Sequence, residues 1–473
     1  MKNSHDIIAL SSIRFGTSGA RGLVIEMTDE LCFAYTAAFL QSIAPPPNSR
    51  VALGMDLRPS SPGIAGVCAA AIRYAGFEPV FCGVLPTPAL AYYAQEQIIP
   101  AVMITGSHIP FDRNGIKFYR SSGEITKQDE LDISQAHAML PDVIADRSLP
   151  ELNRSAYQHY IDRYVQFFPK QALSGLRLGF YEHSSAAREL LPEILKTLGA
   201  EVISIGRTDE FVPIDTEAVS EHDARQAQKW ALNVGFDALL STDGDADRPL
   251  LGDERGHWLR GDIVGILCAR YLDAKAVATP VSSNTALEMC QHFTVLRTRI
   301  GSPYVIAGME TLTEQGYQAV VGFEANGGFL VATELTKQGR SLQSLPTRDA
   351  ILPMLALLAM TKERNITLSE LSQDLPPRYT ASDRLPAFAT EKSRLLLNTL
   401  ANSHAAVQDL LGDLCGVLVS QNLTDGLRLF FENGCIVHFR ASGNAPELRC
   451  YAEADTQARA DELVQVCLSR LNS

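Results

Sequence analysis

The chain reads as an α/β protein: three similar α/β mixed-sheet domains followed by a smaller C-terminal α+β domain, all around a central cleft. Three observations predict this. A β-α-β order recurs three times, which implies parallel strands with helices on their faces. Each round ends in a short polar loop, Thr105-Gly-Ser-His-Ile-Pro110, Asp243-Gly-Asp-Ala-Asp-Arg248 and Gly322-Phe-Glu-Ala-Asn-Gly-Gly328, set at the carboxyl end of an apolar strand. The last segment abandons the pattern for alternating strands around Asn433-Gly434, a hairpin signal. Self-similarity at the residue level is faint, so the repeat is one of architecture.

In order, a glycine-rich run from Arg14 to Gly22 precedes a helix over 29–43 and a turn at Pro45-Pro-Pro-Asn48. A strand at 51–55, an amphipathic helix over 62–75, a strand at 79–82 and a buried strand at 101–104 follow. Gly115 to Tyr119 reads as a returning strand, a hairpin that carries Lys117 back over the Ser107 loop. The second round has a strand at 176–180, a helix over 186–198 closed by Gly199, and strands at 201–205 and 237–240. The third has a strand at 276–278, a helix over 284–292 and strands at 294–298 and 319–321. Strands at 426–431, 435–440 and 447–452 and a helix over 456–471 make the last domain. With 473 residues the chain exceeds one core, and the expected domains are 1–148, 149–254, 255–374 and 375–473.

Composition narrows the function. Hydrophobic content of 46% and a formal charge of −13, with no Lys/Arg cluster, describe a globular protein that binds neither nucleic acid nor anionic membrane. The amino terminus lacks a signal-peptide pattern and the apolar run at 351–360 is too short to span a bilayer, so a cytoplasmic location is expected. Nine cysteines without a C-x-x-C indicate neither a disulfide framework nor a zinc site.

The loops carry chemistry. Ser107, at a strand's carboxyl end, is placed as a nucleophile that needs activation. His108 beside it points to the opposite side if the segment is extended, which argues against a serine-hydrolase base, and no G-x-S-x-G elbow is present. Asp243, Asp245 and Asp247 alternate with small residues, so an extended loop sets three carboxylates on one side, where they repel unless a cation neutralises them. A calcium loop of the EF-hand type would put Glu254 at its twelfth position, but Arg248 stands where that loop needs glycine. A magnesium site is the better reading. Arg440-Ala-Ser-Gly-Asn444 offers a guanidinium fork, a hydroxyl and backbone N–H groups suited to a phosphate.

Together, in this order and over essentially the whole chain, the four loops resemble those of the α-D-phosphohexomutase family, which includes phosphomannomutase- and phosphoglucomutase-like enzymes. The resemblance implies intramolecular phosphoryl transfer between the 6- and 1-positions of a hexose phosphate, through a phosphorylated Ser107 and a hexose 1,6-bisphosphate. It implies Mg²⁺ held by Asp243, Asp245, Asp247 and the Ser107 phosphate. Arg21, His108, Lys117 and Arg248 would serve the reacting phosphoryl group, Glu324 and Asn326 the sugar hydroxyls, and Arg440, Ser442, Gly443 and Asn444 the other phosphate. The partner is then a small sugar phosphate, with mannose 6-phosphate favoured and glucose or glucosamine phosphates as alternatives; the oligomeric state is not read from the sequence. A metal-dependent sugar phosphatase and a non-catalytic sugar-phosphate-binding protein are the readings from other classes. Four positions depart from the family pattern: Gly106 and Ile109 in the serine loop, Ala246 in the metal loop, and Ser302 where some members place a histidine against the sugar.

Overall fold

The computed structural model describes residues 2–16, 19–442 and 446–472. Its first sheet runs Arg14–Phe15, Ala20–Leu23, Arg113–Arg120, Ala101–Ile104, Arg50–Met55, Glu78–Val84, with Gly123–Glu124 paired to Arg113–Arg120. The second runs Pro249–Gly252, Ala238–Thr242, Arg177–Tyr181, Glu201–Ile205, and the third Thr294–Thr298, Ala276–Pro280, Val320–Phe323, Phe329–Val331, Leu345–Asp349. One step is common to all three. A strand pairs in parallel with its sheet, turns, and comes back antiparallel: Ala101–Ile104 to Arg113–Arg120, Ala238–Thr242 to Pro249–Gly252, Val320–Phe323 to Phe329–Val331. The serine, metal and sugar loops are these three turns.

Buried strands explain the apolar runs. Along Arg50–Met55 and Ala101–Ile104 both faces are covered. Val51, Leu53, Val102 and Ile104 join a core with Phe33 and Phe39 of helix Asp29–Ile43, whereas Ala52, Ala101 and Met103 join a second core. That second core is continuous from Ala52 to Leu375 and so runs through all three α/β units. The last sheet, Tyr379–Leu385, Leu448–Ala454, Ile436–Ala441, Leu427–Phe431, Leu418–Asn422, is antiparallel throughout and has its own core, from Ala381 to Leu468.

Two expected helices are shorter than the periodicity suggests. The helix expected over 186–198 is Leu190–Thr197, because Ala186 N–H donates to the Gly244 carbonyl (2.9 Å) and Ser185 Oγ pairs with Thr242 Oγ1 (2.6 Å), which ties this stretch to the metal loop. The helix expected over 284–292 is only Ala286–Met289, since Asn284 Nδ2 donates to the Arg378 carbonyl (2.8 Å) and Thr285 N–H to Glu453 of the last domain. Helix Thr87–Gln97 gives no amphipathic signal because its first eight residues are all buried. Among the described residues no helix is long and apolar enough to cross a membrane, and all nine cysteines are free thiols.

Candidate active site

Ser107 sits in the left-handed region, φ 55°, so its segment is not extended. The expectation that His108 points away is therefore corrected: Ser107 Oγ lies 3.3 Å from His108 Nδ1, while His108 Nε2 lies 3.5 Å from Arg248 Nη1. Arg248, then burial, pushes the His108 imidazole down to about 2, so the ring is neutral. The loop is held from beneath by Arg58, 1% exposed, which donates to the carbonyls of Ser107 (2.8 Å), Ile109 (2.6 Å), Pro110 (2.7 Å) and Arg113 (2.8 Å). Gly106 makes this possible, because a Cβ there would stand 2.6 Å from the Arg58 Cζ. The departures at Gly106 and Ile109 thus have a structural partner: the support comes from a guanidinium, and it uses the backbone of residue 109.

The metal loop turns through Ala246, φ 54°, and gathers the three carboxylates so that one oxygen from each lies within 4.8 Å of the others, all buried. It is tighter than an extended run. Ser107 Oγ donates to Asp243 Oδ2 (2.6 Å), and Asp243 Oδ1 accepts from the backbone N–H of Asp247 and Arg248 (3.2 Å each). Thr87 Oγ1 and Lys117 Nζ donate to Asp245 Oδ2 (2.5 and 2.6 Å); Lys117 (2.8 Å) and Arg348 Nη2 (2.7 Å) donate to Asp247 Oδ2. Among the described residues the remaining oxygens, Asp245 Oδ1 and Asp247 Oδ1, are buried without a hydrogen-bond partner, although Arg248 Nε stands 3.5 Å from the second. Burial, then Asp245 and Asp247, pushes the Asp243 carboxyl well above its usual range; burial also opposes ionisation of Asp247, but Arg348, Lys117 and Arg248 outweigh it and hold that carboxyl well below. Three buried carboxylates, two of them with an oxygen that makes no hydrogen bond while the other oxygen is fixed, fit a hard divalent cation such as Mg²⁺.

A cavity of 410 Å³ opens above these groups. Arg21, His108 and Arg248 line it from the side of the Ser107 and Asp243 loops, Glu324, Asn326 and Arg348 from the third domain, and Arg440, Ser442 and Arg449 from the last. Ser107, Lys117 and the three aspartates lie behind this lining, 2% exposed or less. Among the described residues Arg21 Nε and Nη2 are buried without a hydrogen-bond partner, and burial followed by Arg248 pushes the guanidinium down to about 10. The sugar loop is closed by Glu324 N–H to the Gly328 carbonyl (3.1 Å) and Gly328 N–H to Asn326 Oδ1 (2.9 Å). Arg440 Nε donates to Asp425 Oδ1 (2.9 Å), whose other oxygen accepts from Ile300 N–H (2.9 Å), so the last domain is hooked to the third beside the cavity. Ser302 is fully buried and donates to Glu124 (3.2 Å). Gly443 and Asn444 lie outside the described residues.

Arg58, Thr87, Arg348 and Glu217 also belong to the site and escape sequence reading. Thr-Arg-Asp at 347–349 is a strand end like any other until the third sheet folds, and Arg348 Nη1 then reaches Glu324 Oε2 (3.0 Å). Thr87, at a helix start after Pro86, is a weak signal for a role across a domain boundary.

Models of phosphoglucomutase/phosphomannomutase alpha/beta/alpha domains I, II and III match residues 12–139, 155–256 and 260–379, and the model of that family's C-terminal domain matches 394–467. The chain belongs to the phosphoglucomutase/phosphomannomutase family. It is similar to a phosphomannomutase of Salmonella muenchen (48% identical, covering 100% of this chain and 98% of that protein) and to one of Sinorhizobium fredii (45%, 97% and 99%). An X-ray crystal structure of a phosphoglucomutase/phosphomannomutase family protein from Burkholderia thailandensis shares the fold, with a TM-score of 0.74 at 18% identity over 96% of each chain. The protein is an enzyme, a phosphohexomutase, which isomerises a hexose phosphate.

Proposed function

We propose that the enzyme interconverts mannose 6-phosphate and mannose 1-phosphate through a phosphorylated Ser107 and mannose 1,6-bisphosphate. The observation that carries this reading is a serine hydroxyl bonded to a carboxylate of the acidic triad (2.6 Å), directly behind a cavity with guanidinium groups on both its reacting and its far side. The similarity to phosphomannomutases at 48% and 45% identity supports mannose over other hexoses. In the forward half-reaction the 1-hydroxyl attacks the Ser107 phosphorus, the P–Oγ bond breaks, and the hydroxyl proton ends on the freed Ser107 Oγ. The bisphosphate turns end for end, Ser107 Oγ attacks its 6-phosphorus, the bond from that phosphorus to the 6-oxygen breaks, and the serine proton ends on the 6-hydroxyl of mannose 1-phosphate. Arg21 and Arg248 supply positive charge where phosphoryl oxygens gather, and Arg440 and Ser442 hold the non-reacting phosphate with the loop through Gly443 and Asn444. His108 keeps Ser107 Oγ oriented. Lys117 donates to Asp245 and Asp247 and as an ammonium supplies positive charge; it can take up the hydroxyl proton only after first giving one of its own protons to a neighbouring carboxylate. Asp243, Asp245, Asp247 and the Ser107 phosphate would hold Mg²⁺, which supplies charge to the transferring oxygens. Glu324 and Asn326 accept and donate to ring hydroxyls shared by both orientations. The domain divisions that go with this reading are 1–148, 149–254, 255–374 and 375–473.

Peptide mass spectrometry of active enzyme should find phosphate on Ser107, and Ser107→Ala should lose turnover. Full activity in Ser107→Ala with phosphate on another residue would refute the route. Rates with mannose, glucose and glucosamine phosphates side by side should rank mannose first.

A further inference from the structure

We propose that Glu217 is a substrate-binding residue, a second carboxylate that accepts a sugar hydroxyl in the same cavity as Glu324. The inference rests on the mutase reading above, which assigns the ring to the sugar loop alone. Glu217 comes from a different unit, the connection between strand Glu201–Ile205 and helix Glu221–Val234. That connection is anchored to the sugar loop: Thr216 Oγ1, 4% exposed, donates to the Asn326 carbonyl (2.9 Å). Its turn is fixed by Asp215 Oδ1, which accepts from the backbone N–H of Glu217 (3.0 Å) and Ala218 (3.2 Å), and by Ile214, 2% exposed. The backbone at residue 217 is therefore set by the same loop that presents Glu324 and Asn326.

The side chain of Glu217 lines the 410 Å³ cavity, and among the described residues it has no hydrogen bond or ion pair, whereas Glu324 is held by Arg348. Burial and then Asp215 disfavour its ionisation, Arg248 and Arg260 oppose them, and Glu324 adds to the repulsion. A partly buried carboxylate left unbonded is unfavourable, and a second one nearby makes it more so. In a site for phosphate alone such a group is a liability, because it repels the anion. A hexose phosphate resolves this. Its single phosphate is anionic and suits Arg248 or Arg440 according to which way round it lies, while its ring carries several neighbouring hydroxyl donors, and a carboxylate is an acceptor-only group. Two carboxylates fixed by one loop thus suit two regions of a ring, and a neutral hexose fits them through its hydroxyls.

The test is calorimetric titration of the full chain in excess Mg²⁺, with mannose 6-phosphate and, separately, inorganic phosphate as probes. Glu217→Ala should weaken mannose 6-phosphate by about tenfold to a hundredfold, the loss of one hydrogen bond to a charged group, with Glu217→Gln intermediate. Inorganic phosphate should bind the variants as tightly as the wild type or more tightly. Unchanged mannose 6-phosphate affinity in Glu217→Ala, or an equal loss for both probes in a variant whose circular dichroism matches wild type, overturns the proposal. Failure of the mutase reading has a different signature: wild-type enzyme that binds mannose 6-phosphate without isomerising it, with the Glu217 effect intact.

Discussion

Arg348→Met removes a charge from the most heavily shared contact in the site. The guanidinium is 1% exposed and donates through Nε and Nη2 to Asp247 Oδ2 (3.1 and 2.7 Å) and through Nη1 to Glu324 Oε2 (3.0 Å). Methionine replaces much of the stem but none of these bonds. Asp247 keeps Lys117 at 2.8 Å and Arg248 at 3.5 Å, so most of the cost falls on Glu324. Removing one partner of a buried ion pair costs about 3–5 kcal/mol, and the retained cations around Asp247 place the expected loss near the lower end, about 3 kcal/mol. Urea unfolding followed by circular dichroism measures it. Steady-state kinetics should show KM for the hexose phosphate raised about tenfold, because Glu324 is no longer fixed. Arg348→Lys keeps one positive charge without the fork, and should recover stability more than KM. A Met variant within about 0.5 kcal/mol of wild type, with an unaltered KM, would show that the metal and sugar loops hold their carboxylates without this residue.

Excess chelator should abolish turnover and Mg²⁺ should restore it; undiminished turnover in chelator would remove the triad's assignment as a metal site. Arg440→Ala should raise KM about tenfold to a hundredfold with little change in kcat, from the loss of a charge-assisted fork; a collapsed kcat at constant KM would place Arg440 at the reacting end instead. His438 bears on acid stability. It is 2% exposed, Nε2 bonds the Asp425 carbonyl, Nδ1 has no hydrogen-bond partner among the described residues, and burial pushes the ring down to about 4. The unfolded chain therefore takes up this proton first as pH falls, so stability complete above about pH 6.5 is lost progressively towards pH 4, by on the order of 3 kcal/mol. The difference in unfolding free energy between wild type and His438→Gln should shrink over that window, and a constant difference would refute it.

The three loops are legible because each is a polar interruption after an apolar strand, and the strand order fixes where such interruptions collect. The triad is legible too, since three carboxylates in so short a span repel one another and call for positive charge, which in the structure includes Lys117 and Arg348. What stays hidden is long-range. Arg58 and Arg348 lie in ordinary strand-end or post-strand positions, and only folding brings the first under Ser107 and the second between Asp247 and Glu324. The direction of His108 is hidden for a local reason: alternation of side chains holds only in an extended segment, and Ser107 takes a positive φ. Periodicity overestimates the helix over 284–292 because Asn284 and Thr285 bond the last domain, which no periodicity records.

The division of apolar cores separates two kinds of firmness. One continuous core lies behind the serine, metal and sugar loops, while the domain that carries Arg440 and Ser442 has its own. Local opening costs are set by each unit's own buried contacts. Fluctuations of the last domain can therefore loosen one end of a bound molecule while the alignment of Ser107, Asp243 and Lys117 is undisturbed. On the proposed route, where the bisphosphate rotates without escaping, that is a division of labour: a stiff seat for the bond being made and for the ring, and a compliant hold on the far phosphate.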